Sequence, residues 1–109
     1  MPLFILTAYT KPGTEKIREQ YKVEHTKYVR ANSENVLLSG PMLNEDDKMP
    51  CGTMTVFKFD NIEKAREWAR NEPYCANGAY KDVQIHHWMH FRGGLPHRDP
   101  PAPAVAIDK

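Results

Sequence analysis

Two short stretches carry side chains able to move a proton, Glu24-His25-Thr26 and Asn71-Glu72-Pro73-Tyr74. His25 falls on the inward stripe of a helical segment, where Ile17, Tyr21, His25 and Tyr28 recur in steps of four, four and three. A helix normally places an aliphatic residue there. Imidazole as a class can accept or donate a proton near neutral pH, and a neighbouring carboxylate can fix its tautomer and stabilise its cation. Glu72 supplies such a carboxylate at the end of a second helical segment. The two are expected to meet within about 2.6–3.2 Å, directly or through one water. A histidine in that position is also consistent with a hydrogen-bonded core residue, and Glu72 with a charge at a helix end, where the dipole disfavours it.

The run His86-His87-Trp88-Met89-His90 does not have metal-ligand spacing. On a strand, His86 and His90 stand roughly 13 Å apart and His87 points to the other face. These residues read as pocket wall, with His86, Trp88 and His90 on the face shared with a partner. Cys51 and Cys75 lack a metal-type pairing and read as two reduced thiols, so no metal and no cofactor is called for. The cluster Glu45-Asp46-Asp47 reads as a solvated connection between strands.

The elements that must position these groups follow in order. Phe4 to Tyr9 reads as a strand closed by Lys11-Pro12-Gly13, and Thr14 caps a helix running to Asn32–Ser33. Val36 to Met42 and Gly52 to Phe59 are strands around a polar connection. Asp60, with Glu63 three residues on, opens a second helix along Ile62, Ala65, Trp68 and Ala69, which Pro73 ends. One further turn fits before Gly78, and Asp82 to Phe91 is the last strand. The order strand, helix, strand, strand, helix, strand predicts an α+β, ferredoxin-like fold, a four-stranded antiparallel sheet with both helices on one face. Residues 1–92 form the domain. From Gly93 to Lys109 the chain is rich in Pro and Gly and reads as a flexible tail.

The strands carry a second message. Val83, Ile85, Met89 and Phe91 suit the helix side, leaving Gln84, His86, Trp88 and His90 on the other. The first strand likewise turns Leu3, Ile5, Thr7 and Tyr9 away from Phe4, Leu6 and Ala8. A sheet covered on one side should be polar on the other. This one is apolar on both, and a second copy of the sheet is the expected cover, giving a homodimer.

Fifteen Lys and Arg balance 14 Asp and Glu in 109 residues, without a basic stripe, which argues against nucleic acid as a partner. Thr55-Val56-Phe57-Lys58-Phe59 lacks the Gly-aromatic signature of RNA-binding strands. Leu3 to Ala8 is too short to span a membrane and lacks the marks of an export signal. The expected setting is the cytoplasm, without membrane attachment.

Tyr21-Lys22-Val23-Glu24-His25-Thr26-Lys27-Tyr28, Leu38-Ser39-Gly40-Pro41-Met42, Ala65-Arg66-Glu67-Trp68-Ala69 and Asn71-Glu72-Pro73-Tyr74 with Gly78-Ala79-Tyr80 together resemble the YCII (YciI-like) family over residues 3–91. The resemblance implies a dimeric α+β barrel. It also implies a histidine of the first helix acting with an aspartate before a Pro-aromatic pair, and lyase activity in some relatives, including chloride removal from hydroxylated rings. His25 matches that histidine and Glu72 stands in the aspartate's place, one methylene longer. Lys22 takes the place of an arginine. Ser39 and Tyr74, within matching motifs, are carried as ligand contacts beside His86, Trp88 and His90. Two function classes follow: a cofactor-free acid–base enzyme for a small organic molecule, with His25 and Glu72 catalytic, and a non-catalytic ligand-binding or regulatory homodimer.

Overall fold

Apolar alternation from Leu3 to Ala8 produces strand β1 (Leu3–Thr10), and the turn after it uses Gly13 at φ 79°, an angle open to glycine. The structure, a computed structural model, describes residues 2–94. The tail expected from Gly93 therefore lies, from residue 95 onward, outside the described residues. Helix α1 (Glu15–Ala31) leads through a 3-10 turn at Ser33–Asn35 into β2 (Val36–Leu43) and β3 (Pro50–Lys58). Helix α2 (Ile62–Asn71), the short α3 (Pro73–Ala76) and β4 (Tyr80–Trp88) complete the order. The strands lie β2-β3-β1-β4, every neighbouring pair antiparallel. This is the ferredoxin-like α+β fold that the element order predicts.

The core proper sits beneath α2. Phe4 and Phe57 face one another in the β1–β3 register, both fully buried, and pack with Leu6, Ala8, Ala65 and Ala69. Burying a side chain of this size stabilises by about 1.5–3 kcal/mol. Helix α1 contributes no residue to that buried cluster; its buried residue is His25. The sheet side chains on the helix-facing side nearby are hydroxyls, Thr53, Thr55 and Ser39, rather than aliphatics. One part of the helix–sheet interface is thus a closed core, and the other mixes these hydroxyls with the aliphatic Leu6, Val29 and Val36.

Several local readings are corrected. The cap of α2 is Asn61, whose side chain accepts from the Lys64 amide, rather than Asp60. Thr14 holds the N-terminal position of α1 without capping it. Its hydroxyl donates to the Lys11 carbonyl at 2.6 Å and accepts from the Arg18 guanidinium at 2.6 Å. Strand β4 stops at Trp88, so Met89 and Phe91 lie exposed beyond it instead of facing the helices, while Val83, though exposed, keeps to the helix side in a cleft with Ile85, Arg66 and Ala69. The face away from the helices is not wholly bare. Val56 on that face is only 2% exposed, in a cleft lined also by Leu38, Trp88, His90 and the segment after Arg92.

Strand β4 also carries a bulge. Thr7 pairs with Gln84 and Tyr9 with Lys81, while Asp82 adopts φ 51°. The extra residue reverses the alternation, so Tyr80, paired with Thr10, turns to the helix side.

Candidate active site

Glu72 owes its position to the proline that follows it. Pro73 excludes helical angles from the preceding residue, and Glu72 takes φ −66° and ψ 128°, extended backbone between α2 and α3. The residue at the C-terminal end of α2 is therefore also the N-cap of α3. Its Oε2 accepts the Tyr74 backbone N–H at 2.8 Å. The carboxylate expected at an unfavourable helix terminus serves a favourable one as well.

The same oxygen meets His25 Nδ1 at 2.8 Å. Both residues are buried, at 3% and 4% exposure. A carboxylate oxygen already accepting a backbone N–H acts as an acceptor toward the ring too, so Nδ1 carries a hydrogen, and in the neutral ring Nε2 presents a lone pair. Tyr74 lies flat against the imidazole, with ring centroids 4.0 Å apart and planes inclined by 5°, and its hydroxyl donates to the Arg18 carbonyl at 3.2 Å. His25 is thus fixed in plane by Glu72 and out of plane by Tyr74.

His25 Nε2 is buried without a hydrogen-bond partner among the described residues. Leaving a buried polar atom unpaired costs about 1–3 kcal/mol, so the atom calls for a water or a ligand. The space for one is present. A cavity of about 30 Å³ is lined by His25, Glu72, Ser39, Thr55, Trp68 and Tyr80, with apolar wall from Leu6, Val29 and Val36. Room for one water begins at about 10–15 Å³ on this measure. A wider cleft of about 380 Å³ shares Thr53 and Tyr80 as walls and carries Arg18, Lys22 and Tyr74.

Acidic groups around the pair hold their protons. Burial pushes the Cys75 thiol up to about 12, with the Glu72 carboxylate adding to the effect. Burial, then Glu72, raises the Tyr28 phenol to about 12 and moves Tyr80 further in the same direction. Cys75 is therefore a thiol and not a nucleophilic thiolate at neutral pH.

The structure brings together His25, Glu72 and Tyr74, and places Ser39 on the cavity wall, its hydroxyl paired with that of Thr55 at 2.9 Å. The remaining three expected contacts lie elsewhere. His86 and Trp88 pair with Ile5 and Leu3, on the sheet face away from His25, and His90 follows β4, bonded to the Gly93 carbonyl. The His86 ring bonds to the Gln84 side chain at 3.1 Å. No group of three or more His, Cys, Asp or Glu gathers as a metal site among the described residues.

Thr55, Trp68, Cys75 and Tyr80 line the cavity and are not among the site residues expected from the sequence. Thr53 and Thr55 offered a signal, since two hydroxyls alternate where a core strand would carry aliphatics. Tyr80 offered only its place in the Gly78-Ala79-Tyr80 stretch, because the bulge that turns it inward has no sequence mark beyond Asp82.

Residues 2–89 match the family model described as the YCII-related domain. An uncharacterised protein of Haemophilus influenzae is 30% identical over 89 residues, covering 75% of this chain and 91% of that relative. Protein YciI of Escherichia coli is 26% identical over 90 residues, covering 76% and 92%. Among solved structures, 5-chloro-2-hydroxyhydroquinone dehydrochlorinase of Burkholderia phenoliruptrix, in complex with 2,5-dihydroxybenzoquinone, superposes with a TM-score of 0.72 at 20% identity, covering 82% of this chain and 95% of that one.

Proposed function

Because the chain belongs to the YCII-related domain family, we propose that it is a small-molecule enzyme that performs acid–base chemistry at His25 with Glu72 as its partner. The observation carrying this reading is the buried imidazole whose Nδ1 is held by Glu72 while Nε2 stands unpaired on a cavity. In the forward step Nε2 removes a proton from the bound molecule. The electron pair released expels a leaving group in an elimination, or shifts along the molecule in an isomerisation. The imidazolium so formed is stabilised by the Glu72 carboxylate and returns its proton to product or water.

The substrate class is a hydroxylated ring or a comparable small organic molecule, for which the dehydrochlorinase with the same fold offers a chemical precedent. Leu6, Val29, Val36 and the Trp68 ring supply an apolar wall of the kind such molecules need. Ring-sized ligands fill cavities of about 150 Å³, so binding requires the wall at Thr53 and Tyr80 to open toward the wider cleft. The working assembly is a homodimer joined through the open sheet face, where Leu3, Ile5, Leu38, Met54 and Trp88 remain part-exposed. Two free thiols, Cys51 and Cys75, suit a reducing, cytoplasmic setting. No helix among the described residues is long and apolar enough to cross a membrane.

The test is chloride release from 5-chloro-2-hydroxyhydroquinone and from a panel of chlorinated hydroxyarenes, followed by His25→Ala and Glu72→Gln. Turnover lost in both variants with binding kept supports the enzyme. Binding of the panel by the wild type without any turnover moves the chain to the ligand-binding class.

A further inference from the structure

His25 Nε2 is not the only buried side-chain nitrogen without a hydrogen-bond partner among the described residues. Trp68 lines the same cavity, and its indole Nε1 is the second. The rest of the Trp68 side chain is firmly held. Its ring meets Phe57 edge-on at 5.5 Å, Tyr28 at 5.3 Å and Phe59 at 6.4 Å, and its carbonyl accepts the Tyr28 hydroxyl at 2.7 Å. An indole N–H can only donate, and a buried donor without an acceptor is costly enough to be rare. A ring locked on several sides cannot swing that N–H out to solvent. The acceptor, a water at rest and a ligand oxygen when one is bound, must come to it.

We infer that Trp68 is a ligand-positioning residue, its Nε1–H donating to an oxygen of the molecule whose proton His25 Nε2 accepts. The two nitrogens are complementary: the indole is an obligate donor, and in the neutral imidazole, with the hydrogen on Nδ1 directed to Glu72, Nε2 is an acceptor. The ligand they select bears a hydroxyl, or a hydroxyl beside a carbonyl, so that one group gives a proton to His25 while an oxygen lone pair receives the indole N–H. The Ser39–Thr55 pair adds to this reading. One of its two hydroxyl hydrogens is used between them, leaving the other to reach a second ligand oxygen. A purely hydrocarbon ligand would leave both nitrogens unpaired and is selected against. This inference rests on the enzyme reading above but makes a separate claim, that substrate oxygen is recognised by Trp68.

The test uses 2,5-dihydroxybenzoquinone as the probe, which carries hydroxyls and carbonyls on one ring. The chain has two tryptophans, Trp68 and Trp88, so its ¹⁵N-labelled spectrum holds two indole N–H signals, assigned with Trp88→Phe. Titration of the probe is expected to shift the Trp68 indole proton and leave that of Trp88 in place. Trp68→Phe, which keeps an aromatic ring and removes the N–H, is expected to weaken probe binding about tenfold by calorimetry, in line with a hydrogen bond to an uncharged group. Wild-type binding with an unmoved Trp68 indole signal overturns the inference while leaving His25 chemistry standing. Equal affinity in Trp68→Phe does the same. If the wild type does not bind the probe at millimolar concentration, both this inference and the hydroxylated-ring reading fall. The indole signal is read on the unaltered chain, so the outcome does not depend on how well the Trp68 variant folds.

Discussion

Glu72 Oε2 holds two buried donors at once, His25 Nδ1 and the Tyr74 amide, each at 2.8 Å. The contact that orients the candidate base is therefore also the contact that starts α3 and brings Tyr74 against the imidazole. Positioning of the site and local folding share one carboxylate, and substitutions at Glu72 should affect both.

Glu72→Ala is expected to lower stability by about 3–5 kcal/mol, the range for removing one partner of a buried pair. Glu72→Gln keeps an amide oxygen for the Tyr74 N–H and should lose less than half of that. Urea unfolding of the three proteins measures it. Equal losses for Ala and Gln would mean that the charge and not the cap dominates. Unchanged stability in both would remove Glu72 from the structural role argued above.

Glu72→Asp keeps the carboxylate on a shorter arm. Its oxygen cannot meet both His25 Nδ1 and the Tyr74 amide at their present separations without backbone movement. If His25 is the base, turnover should fall by about 10²-fold, the scale on which small misplacement acts. Activity equal to wild type would show that the longer arm is not needed.

Alkaline pH should weaken the fold. The thiol of Cys75 has its proton held to about pH 12 in the folded chain against an ordinary value of 9.0, and Tyr28 is likewise raised from 10.0 to about 12. Between those values the unfolded chain has lost protons that the folded chain keeps, so stability falls as pH rises. The contribution is fully present below pH 9 and disappears progressively up to about pH 12. Urea midpoints should decline from about pH 8.5 to about pH 11, and Cys75→Ala should flatten the decline. A midpoint that rises over this interval contradicts the burial of these groups.

Gly52→Ala should destabilise, because an added Cβ would lie 2.4 Å from the Ala8 carbonyl oxygen and 2.7 Å from Met42 Cε. The methionine can move but the β1 backbone cannot do so without disturbing the sheet. A loss of about 1–3 kcal/mol is expected, the usual cost of overpacking. Thermal unfolding checks it, and an unchanged midpoint would mean that β1 and β3 are less closely held.

The open sheet face provides the assembly prediction. Ile5→Lys places a charge at its centre, on the side away from His25. Light scattering should find a dimer for wild type and a monomer for the variant at micromolar concentration. A wild-type monomer at that concentration removes the homodimer from the proposal.

Periodicity alone determined the element order, the placement of His25 on the buried stripe of α1 and the ferredoxin-like topology. Those features depend on local alternation and on the arrangement of Gly and Pro, which a linear chain displays directly. Pro73 likewise announced that Glu72 would leave helical angles. The sequence could not say that Glu72 caps the next turn, since that depends on where its side chain goes after the break. Nor could it place Tyr80, whose face is set by a one-residue bulge at Asp82, and side-chain alternation reverses with any such insertion. His86, Trp88 and His90 suit a pocket wall in one dimension, because aromatic and polar residues share one side of a strand. Alternation already set that side away from the helices and so from His25, and the register of β4 against β1 agrees, pairing His86 with Ile5 and Trp88 with Leu3. The unpaired nitrogens of His25 and Trp68 belong wholly to tertiary structure. They arise because α1 and α2 converge over a patch of threonine hydroxyls, and no spacing within either helix encodes that meeting.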